Sequence, residues 1–556
     1  MTALLPILVK FCFPAVEDRE QLTISALLIP VILQLFSVHL LLRYPRSQLA
    51  LRLRQVVLLP LIVVFGIRSA YAFTVKDVPC APGESGTPRF GGQQLFRIFF
   101  PMYWCCYSTI KAYEWAFYPR PMLQKPLLDL ASRLERQRAN DSTSGKQEVP
   151  NGDTTVDDGQ GSNGLPKYFP GTKIPLEIHL LTTLCGGGWD WGPRYSVDVP
   201  PPTPFDLVAS DPKAIQEWRK DRIRFLKARF QRFVTSLALM DIIDSVSKSE
   251  VLWGVFAGQG APIIDGVVQH EGVDLSTFSW PARVSLSLAT GSFIVLSMAL
   301  QHSFFSFLSV LPSALWPRSK VVADYLWSDP SHWSPPMADL RFWTVPSMRA
   351  FWSTHWHQIL RRCLLVGGYY PTKAVLSVLF SLGRTSGAPT QAVVASMRDT
   401  GPVVSGRVVP QRKKSMGFEK MVEHALCSLA TFALSGLIHE LILLAVATNA
   451  EERSPLRIVG LGQPVVFADG SEDRGGKLLL FFTLQGVACI AEEVVEAISG
   501  RKVGGRLGTI WVFSFIVLTC PLFTKIWWHF GMLNGTRIDP YTSALVDWTA
   551  RHIMRA

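Results

Sequence analysis

The sequence lacks the charge density and the site motifs of common soluble enzymes. Only 18% of its 556 residues are Asp, Glu, Lys or Arg, whereas soluble globular chains carry about 25%. The nine cysteines form no C-x-x-C pair, so we expect neither a disulfide scaffold nor a zinc module. The P-loop, G-x-S-x-G and H-E-x-x-H patterns are also missing, which argues against P-loop, nucleophile-elbow and zinc-protease chemistry.

The hydrophobic residues are gathered in long blocks. They make up 48% of the chain, and a membrane-spanning helix needs about 20 consecutive, mostly apolar residues. The sequence therefore predicts an all-α, polytopic membrane protein with about eight transmembrane helices, near residues 22–42, 55–73, 95–117, 232–254, 282–306, 421–447, 476–496 and 508–530.

A further apolar block, residues 363–382, is predicted to enter the membrane without crossing it. It contains Gly367, Gly368 and Pro371, which are residue types that interrupt helices, and basic residues flank both of its ends. Irregular backbone at membrane depth is stable only where it is buried in protein or lines a wet cavity. We therefore expect a re-entrant segment beside an internal chamber.

Basic residues between the blocks predict the orientation of the chain. The loop after the first span contains Arg43, Arg46, Arg52 and Arg54, which places it in the cytosol by the positive-inside rule. Counting forward, residues 119–231, 307–420 and 497–507 are then cytosolic. Orientation and an anionic leaflet thus account for the net charge of +12, and nucleic acid is not expected as a partner.

Three regions are predicted along the chain. Residues 1–118 hold the N-terminal transmembrane helices, residues 119–231 form a cytosolic loop, and residues 232–556 form the catalytic membrane core. Within the loop, residues 133–164 are polar and rich in Gly, Ser and Asp, which indicates a disordered insert. Residues 184–191 contain three consecutive glycines and two tryptophans, which indicate an interfacial turn or a close backbone approach.

His439 is the strongest candidate for chemistry. It lies in an apolar span, where an ionisable side chain is costly and usually functional. Burial favours the neutral imidazole, which can accept a proton at pH 7. Ser435 lies on the same helical face and is placed to fix the tautomer of the ring, whereas Glu440 points about 100° away. The alternative is that His439 is a hydrogen-bonded packing residue.

A second candidate cluster lies just before the block 363–382. Residues 351–358 read FWSTHWHQ, and helical spacing would place Trp352 and Trp356 on one face. One interpretation is an interfacial helix with aromatic anchors and a basic flank. In the other, side chains of this cluster donate hydrogen bonds into a chamber and arginines bind an anionic substrate. The polar and basic members concerned are His357, Gln358, Arg361 and Arg362.

Metal catalysis is not expected, although several histidines are present. His355, His357 and His424 do not form the repeated histidine boxes of membrane di-iron oxygenases, and the pair His439-Glu440 is not continued to an H-E-x-x-H pattern. We therefore predict no metal site and no permanently bound cofactor.

The two candidate clusters together resemble the membrane-bound O-acyltransferases, in particular their wax-synthase-like branch, which is common in fungi. The resemblance covers residues 330–500 and rests on the order and spacing of two stretches, Phe351-Trp352 with Trp356-His357-Gln358, and Ser435-Gly436-Leu437-Ile438-His439-Glu440. The glycine–tryptophan stretch before Trp189 is similar to an upstream signature of that branch.

The chain departs from the family pattern at three positions. Thr354 stands where the related diacylglycerol acyltransferases have an acid, and His355 stands where the branch usually has a basic residue. Cys185 replaces an arginine that is frequent in the glycine motif. By this resemblance, the intramembrane histidine that the family shares corresponds to His439.

The resemblance implies transfer of an acyl group from acyl-CoA, with acetyl-CoA as the expected donor, to a hydroxyl of a lipophilic acceptor such as a terpenoid or polyketide secondary metabolite. His439 would take the hydroxyl proton, and His357 or Gln358 would stabilise the oxyanion. The residues expected to bind substrate or donor are Gln358, Trp356, Trp352, Arg361, Arg362 and Ser435. We expect a multi-pass protein of the endoplasmic reticulum membrane whose partners are acyl-CoA, the alcohol and the bilayer.

Three alternatives remain open from the sequence. A wax ester or sterol ester synthase would use long acyl chains with the same residues. A transporter or channel would use His439, Asp241 and Asp244 as a pathway, although the internal repeats typical of transporters are not seen. A non-catalytic membrane scaffold would keep the histidines for packing.

Overall fold

In the computed structural model of the chain, the described residues are 4–14, 18–74, 92–117, 120–144, 165–183, 186–192, 211–248, 263–264, 267–268, 278–325, 327–333, 344–356, 360–382, 418–446, 455–466 and 472–529. These residues are overwhelmingly helical. Within them, strands occur only as two-residue pairs, Glu20–Gln21 with Phe73–Thr74, Ile263–Ile264 with Val267–Val268, and Val465–Val466 with Glu472–Asp473. The predicted all-α class is confirmed.

The helices follow one another along the chain with few long interruptions. They are α1 (Leu4–Cys12), α2 (Ile24–Arg43), α3 (Gln48–Tyr71), α4 (Gly92–Phe117), α5 (Lys125–Ser144), α6 (Leu176–Thr182), α7 (Pro212–Lys248), α8 (Trp280–Leu315), α9 (Lys320–Tyr325), α10 (348–355), α11 (361–382), α12 (Phe418–Val446), α13 (Lys477–Ser499) and α14 (Gly505–His529). Short 3-10 helices occupy Pro330–His332 and Pro455–Val459.

Seven helices of the described residues are long and apolar enough to cross a membrane. They are α2, α3, α8, α11, α12, α13 and α14, and six of them coincide with predicted spans. The predicted span 95–117 is helical within α4 but is not among the seven. The predicted span 232–254 differs more, because its first part lies in the polar helix α7 and residues 249–254 are outside the described residues.

The predicted re-entrant break at residues 363–382 is not observed. The backbone is helical from Arg361 to Leu382, with a π-helical turn at Leu365–Tyr369, and residues 361–380 are sufficient in length and hydropathy to cross. The two glycines serve close packing instead of interrupting the helix. A Cβ on Gly368 would lie 2.8 Å from Thr431 Cα in α12, and one on Gly367 would lie 2.7 Å from a Leu434 methyl carbon.

The start of the predicted disordered insert is also helical. Residues 133–144 belong to α5, whose Leu127, Leu130 and Leu134 are buried, whereas residues 145–164 are outside the described residues. The sequence 133–144 is rich in residues that favour helices, such as Arg, Glu and Gln, so the polar composition was read too strongly as disorder.

Helix α12 lies among its neighbours at the centre of the described core. It packs against α4, α11 and α13. A Cβ on Gly436 would lie 2.6 Å from Leu479 Cα in α13, so α12 approaches both α11 and α13 at glycine positions. Small residues of this kind allow helix backbones in membranes to come close enough for extensive van der Waals contact.

Replacing Gly368 with alanine should destabilise the α11–α12 contact. The new methyl group would meet backbone atoms, which cannot rotate away, and overpacking of this kind costs about 1–3 kcal/mol. Gly291 in α8 is the matched control, because nothing lies within 4 Å of its Cβ position and alanine is favoured over glycine in a helix by about 1 kcal/mol. Thermal unfolding in detergent should show a lower midpoint for Gly368→Ala only; equal shifts in both variants would contradict the packing argument.

Candidate active site

His439 lies on α12 with its ring held by its own helix and by two aromatic side chains. Its Nδ1 is 2.7 Å from the carbonyl oxygen of Ser435. The ring centroid is 4.5 Å from that of Phe482 in α13 and 5.7 Å from that of Phe523 in α14. The side chain is partly exposed although the helix around it is apolar. His439 is therefore a positioned side chain that a small group can reach.

The Ser435 contact fixes which nitrogen of His439 is free. A carbonyl oxygen can only accept a hydrogen bond, so Nδ1 carries the proton and donates it. In the neutral ring, Nε2 then has the lone pair. Ser435 thus sets the tautomer as predicted, but through its backbone carbonyl and not through its hydroxyl group.

Phe482 connects His439 to the segment 351–356. The Phe482 ring centroid is 5.9 Å from that of Trp352, which in turn lies 5.7 Å from that of Trp356. Phe432 of α12 packs edge-on against Trp352 at 5.6 Å. The structure thus brings Trp352, Trp356 and His439 into one aromatic cluster, although these residues are more than 80 positions apart in the sequence.

The segment containing Trp352 has an unusual backbone. Residues Phe351–His355 form a π-helical turn, and the Trp356 amide donates to the Phe351 carbonyl at 2.7 Å. Such turns are rare and occur frequently at functional sites. The Trp352 indole nitrogen is buried and makes no hydrogen bond among the described residues. An N–H group of this kind is available to a bound molecule.

Glu492 holds the start of this segment in place, a role that the sequence analysis missed. Its carboxylate accepts hydrogen bonds from the backbone amides of Met348 at 2.7 Å and Arg349 at 3.1 Å, and from the Trp511 indole nitrogen at 3.1 Å. Glu492 is 5% exposed. It lies 144 residues after Met348, so no local pattern in the sequence identifies the pair.

Glu440 is also directed away from His439, as the helical spacing predicts. Its Oε1 accepts from the backbone amides of Leu478 at 2.8 Å and Leu479 at 3.3 Å. These amides belong to the first turn of α13, where backbone donors lack partners within the helix. Glu440 therefore joins α12 to the start of α13, and it takes no part in orienting the histidine ring.

The two predicted anion-binding arginines differ in their surroundings. Arg361 is exposed. Arg362 Nε lies 2.7 Å from Glu114 Oε1, and the Lys111 ammonium lies 3.0 Å from Glu114 Oε2. The Trp191 ring lies over Lys111 at 4.4 Å. Arg362 is thus already paired with a buried carboxylate, while Arg361 is accessible to a ligand; anion binding by either residue stays a prediction.

Two predicted site residues, His357 and Gln358, lie outside the described residues, so their roles stay predictions. The described neighbours Trp356 and Leu360 border them on either side. His355 is described, and its Nδ1 lies 2.9 Å from the Thr354 hydroxyl and 3.0 Å from the Ala350 carbonyl oxygen. In the part of the chain that the structure describes, no three His, Cys or acidic side chains come together as a metal ion would require.

The glycine–tryptophan stretch forms a buried turn. Gly186 and Gly188 have positive φ angles of 72° and 85°, and a Cβ on Gly188 would lie 2.7 Å from a Leu127 methyl carbon. Trp189 is fully buried, and its indole nitrogen donates to His179 Nδ1 at 3.0 Å. Close backbone approach therefore explains the glycines, and Trp189 is a core residue instead of an interfacial anchor. Cys185 lies outside the described residues.

Replacing Glu492 with glutamine should destabilise the segment 348–356. The amide group keeps one acceptor oxygen, so a backbone or indole N–H would face an NH₂ group, and an unpaired buried donor costs about 1–3 kcal/mol. Glu496 is the matched control, since it contacts only the Arg349 guanidinium at 3.3 Å in a partly exposed pair, and such pairs contribute about 0–1 kcal/mol. Unfolding midpoints measured in detergent should fall for Glu492→Gln and stay near wild type for Glu496→Gln; the reverse order would refute the assignment.

The fold should lose stability in mild acid because of His179. Burial, aided by the nearby His332, holds the pKa of His179 well below its ordinary value, so the folded state binds fewer protons than the unfolded state. Stability is then complete above the unfolded pKa of about 6.5 and falls as the pH decreases below it, by at most about 1.4 kcal/mol per pH unit.

His179→Gln keeps an acceptor for Trp189 but does not titrate. Its unfolding midpoint should therefore depend less on pH between pH 7.5 and 5 than that of the wild type. Part of the dependence should remain, because burial also lowers the pKa of His332. Identical pH profiles for the two proteins would show that His179 is not responsible.

Comparison with known proteins supports the similarity of this region to acyltransferases. Residues 333–395 match the sequence model of the "Membrane bound O-acyl transferase family". The chain is also 24% identical over 268 residues to a curated protein of Aspergillus niger named O-Mevalon transferase yanI, a match that covers 48% of this chain and 45% of that protein. The chain thus spans less than half the length of that relative. No solved structure matches the chain.

The matched residues 333–395 include Trp352, Trp356, Arg361 and Arg362, whereas His439 lies beyond them. In the structure, the matched segment and His439 meet through Phe482. The chain is therefore an all-helical, polytopic membrane protein that is similar, in the segment beside its intramembrane histidine, to the membrane bound O-acyl transferases.

Proposed function

We propose that this protein is an O-acyltransferase that moves an acyl group from acyl-CoA to a hydroxyl group of a lipophilic acceptor. Within that class, we propose acetyl-CoA as the donor and a terpenoid or polyketide secondary metabolite as the acceptor, in the endoplasmic reticulum membrane. The observation that supports the proposal most is the orientation of His439, whose Nδ1 is fixed by a carbonyl oxygen so that Nε2 is left as a base.

The proposed reaction begins with removal of a proton from the acceptor. His439 Nε2 takes the hydroxyl proton while the hydroxyl oxygen attacks the thioester carbonyl carbon, which is general base catalysis. The new C–O bond forms as the C–S bond breaks, and the thiolate leaves. Because an alkyl thiol has a pKa of about 8.5, it is a good leaving group, and the protonated His439 returns the proton to its sulfur.

Donors of hydrogen bonds are needed where the oxyanion develops on the thioester carbonyl. We assign this role to His357 or Gln358, on the residues' place directly after Trp356. Each such donor contributes about 3–4 kcal/mol to transition-state stabilisation in other acyl-transfer enzymes. The exposed Arg361 is the proposed contact for the phosphates of coenzyme A, because a guanidinium group binds phosphate oxygens in pairs.

The aromatic cluster suits a lipophilic acceptor. The rings of Phe482, Phe523 and Trp352 surround the route from His439 to the segment 351–356. Apolar and aromatic walls with a few polar groups are typical of sites for small apolar ligands, and an alcohol that dissolves in the bilayer would present its hydroxyl group to His439. The name of the Aspergillus niger relative, which is a transferase, supports the same reaction class.

Replacing His439 with alanine should abolish ester formation without unfolding the protein. Loss of a general base lowers the rate by about 10²–10⁴-fold. The matched control is His424→Ala on the same helix, whose imidazole contacts Glu493 at 3.2 Å and does not contact the aromatic cluster. The assay supplies the purified protein with labelled acetyl-CoA or palmitoyl-CoA and a pool of lipophilic alcohols.

The same assay separates the alternatives. Product from palmitoyl-CoA alone would favour a wax ester or sterol ester synthase and would replace the proposed donor. Ester formation that persists in His439→Ala would refute the role of this histidine. Transport of a solute without any ester product would favour a transporter and would refute the proposed function.

A further inference from the structure

Helix α7 presents a continuous exposed stripe along its whole length. The helix packs antiparallel to α8: Arg219 Nε donates to the Ala314 carbonyl at 3.0 Å, and the Phe233 ring lies 5.9 Å from that of Phe304. Residues on the opposite side of α7, spaced three and four apart, are exposed throughout. They include Lys213, Lys220, Arg224, Lys227, Gln231, Val234, Ala238 and Ile242.

The character of this stripe changes abruptly along the helix. Before Gln231 its long side chains are mainly basic, with Glu217 as the acid on the stripe and Asp221 beside it. The ion pair between Arg224 and Asp221 is 3.2 Å long but highly exposed, so it is weak and easily exchanged. This half of the stripe therefore has a net positive charge.

The second half of the stripe is apolar. Phe230 is 55% exposed, Val234 45% and Ile242 48%. These residues lie beside the part of α8 that precedes Phe307, since the Phe230 ring is 6.0 Å from that of Phe307 and the helices are antiparallel. Because α8 is long and apolar enough to cross the membrane, this half of α7 lies at the depth of the hydrocarbon core.

We propose that the exposed stripe of α7 binds an anionic phospholipid. The headgroup lies against Lys220, Arg224 and Lys227, and an acyl chain lies along Val234 and Ile242. Basic side chains next to an apolar helical surface are the arrangement that attracts anionic lipids, because the cations meet the headgroup level where the apolar residues begin. The step from Lys227 to Phe230 marks that level.

A second copy of the same chain is a less suitable occupant of this surface. Two copies with the same orientation in a membrane are related by a two-fold axis along the membrane normal, so the same surface meets itself at the same depth. Lys220, Arg224 and Lys227 would then face the same three cations of the second copy, which is unfavourable. An anionic headgroup neutralises these cations.

The experiment uses the full-length protein in detergent with dioleoylphosphatidylserine and dioleoylphosphatidylcholine as probes, and counts retained lipid by native mass spectrometry. The wild type should retain phosphatidylserine in preference to phosphatidylcholine. The double variant Lys220→Gln/Lys227→Gln should bind phosphatidylserine about 25-fold more weakly, or about fivefold for each cation removed. The variant Lys220→Arg/Lys227→Arg should bind like the wild type.

Two controls make the result specific. Arg133→Gln/Arg136→Gln removes the same charge from exposed positions on α5, which is not one of the membrane-capable helices, and should leave retention unchanged. Glycerophosphoserine, which has the headgroup without acyl chains, should not displace the lipid. Equal loss in both glutamine variants would overturn the proposal in favour of a general charge effect. A homodimer that is lost in Lys220→Gln/Lys227→Gln would overturn it in favour of a second copy.

Discussion

The position of His439 depends on how closely α12 approaches the helices on either side of it. Gly368 and Gly436 are the contact points, and a methyl group at either would lie within 3 Å of a neighbouring Cα atom. Close backbone contact between α12 and α13 places Phe482 directly against the histidine ring. The α11 contact fixes α11, which continues from the segment that carries Trp352. Lipid supplies no hydrophobic driving force between helices, so these van der Waals contacts determine the geometry.

Carboxylates provide the second element of this architecture. Glu440 and Glu492 are both buried, and each accepts hydrogen bonds from two successive backbone amides at the start of a helix. Backbone donors in an apolar environment are costly when unpaired, and a negative charge at a helix N-terminus is favourable. Each carboxylate therefore joins its own helix to the first turn of another one, and the two junctions flank the aromatic cluster.

The sequence was sufficient for features that depend on local composition. Six of the seven membrane-capable helices and the orientation of Glu440 away from His439 follow from hydropathy and helical spacing. It was insufficient where a residue has two physical uses. Gly367 and Gly368 can break a helix or allow close packing, and only the presence of α12 decides between these. The π-helical turn at 351–355 and the Glu492 contact depend on tertiary partners more than 130 residues away.

The Glu492 contact also has a consequence for biogenesis. Its donors, the amides of Met348 and Arg349, precede their acceptor by more than 140 residues, and Trp511, which shares the same carboxylate, follows later still. A ribosome would complete and release α10 long before either α13 or α14 emerges. The tryptophan-bearing turn is therefore secured last, when the final helices are inserted, and nascent chains that stop earlier would present an unsecured turn to quality-control factors.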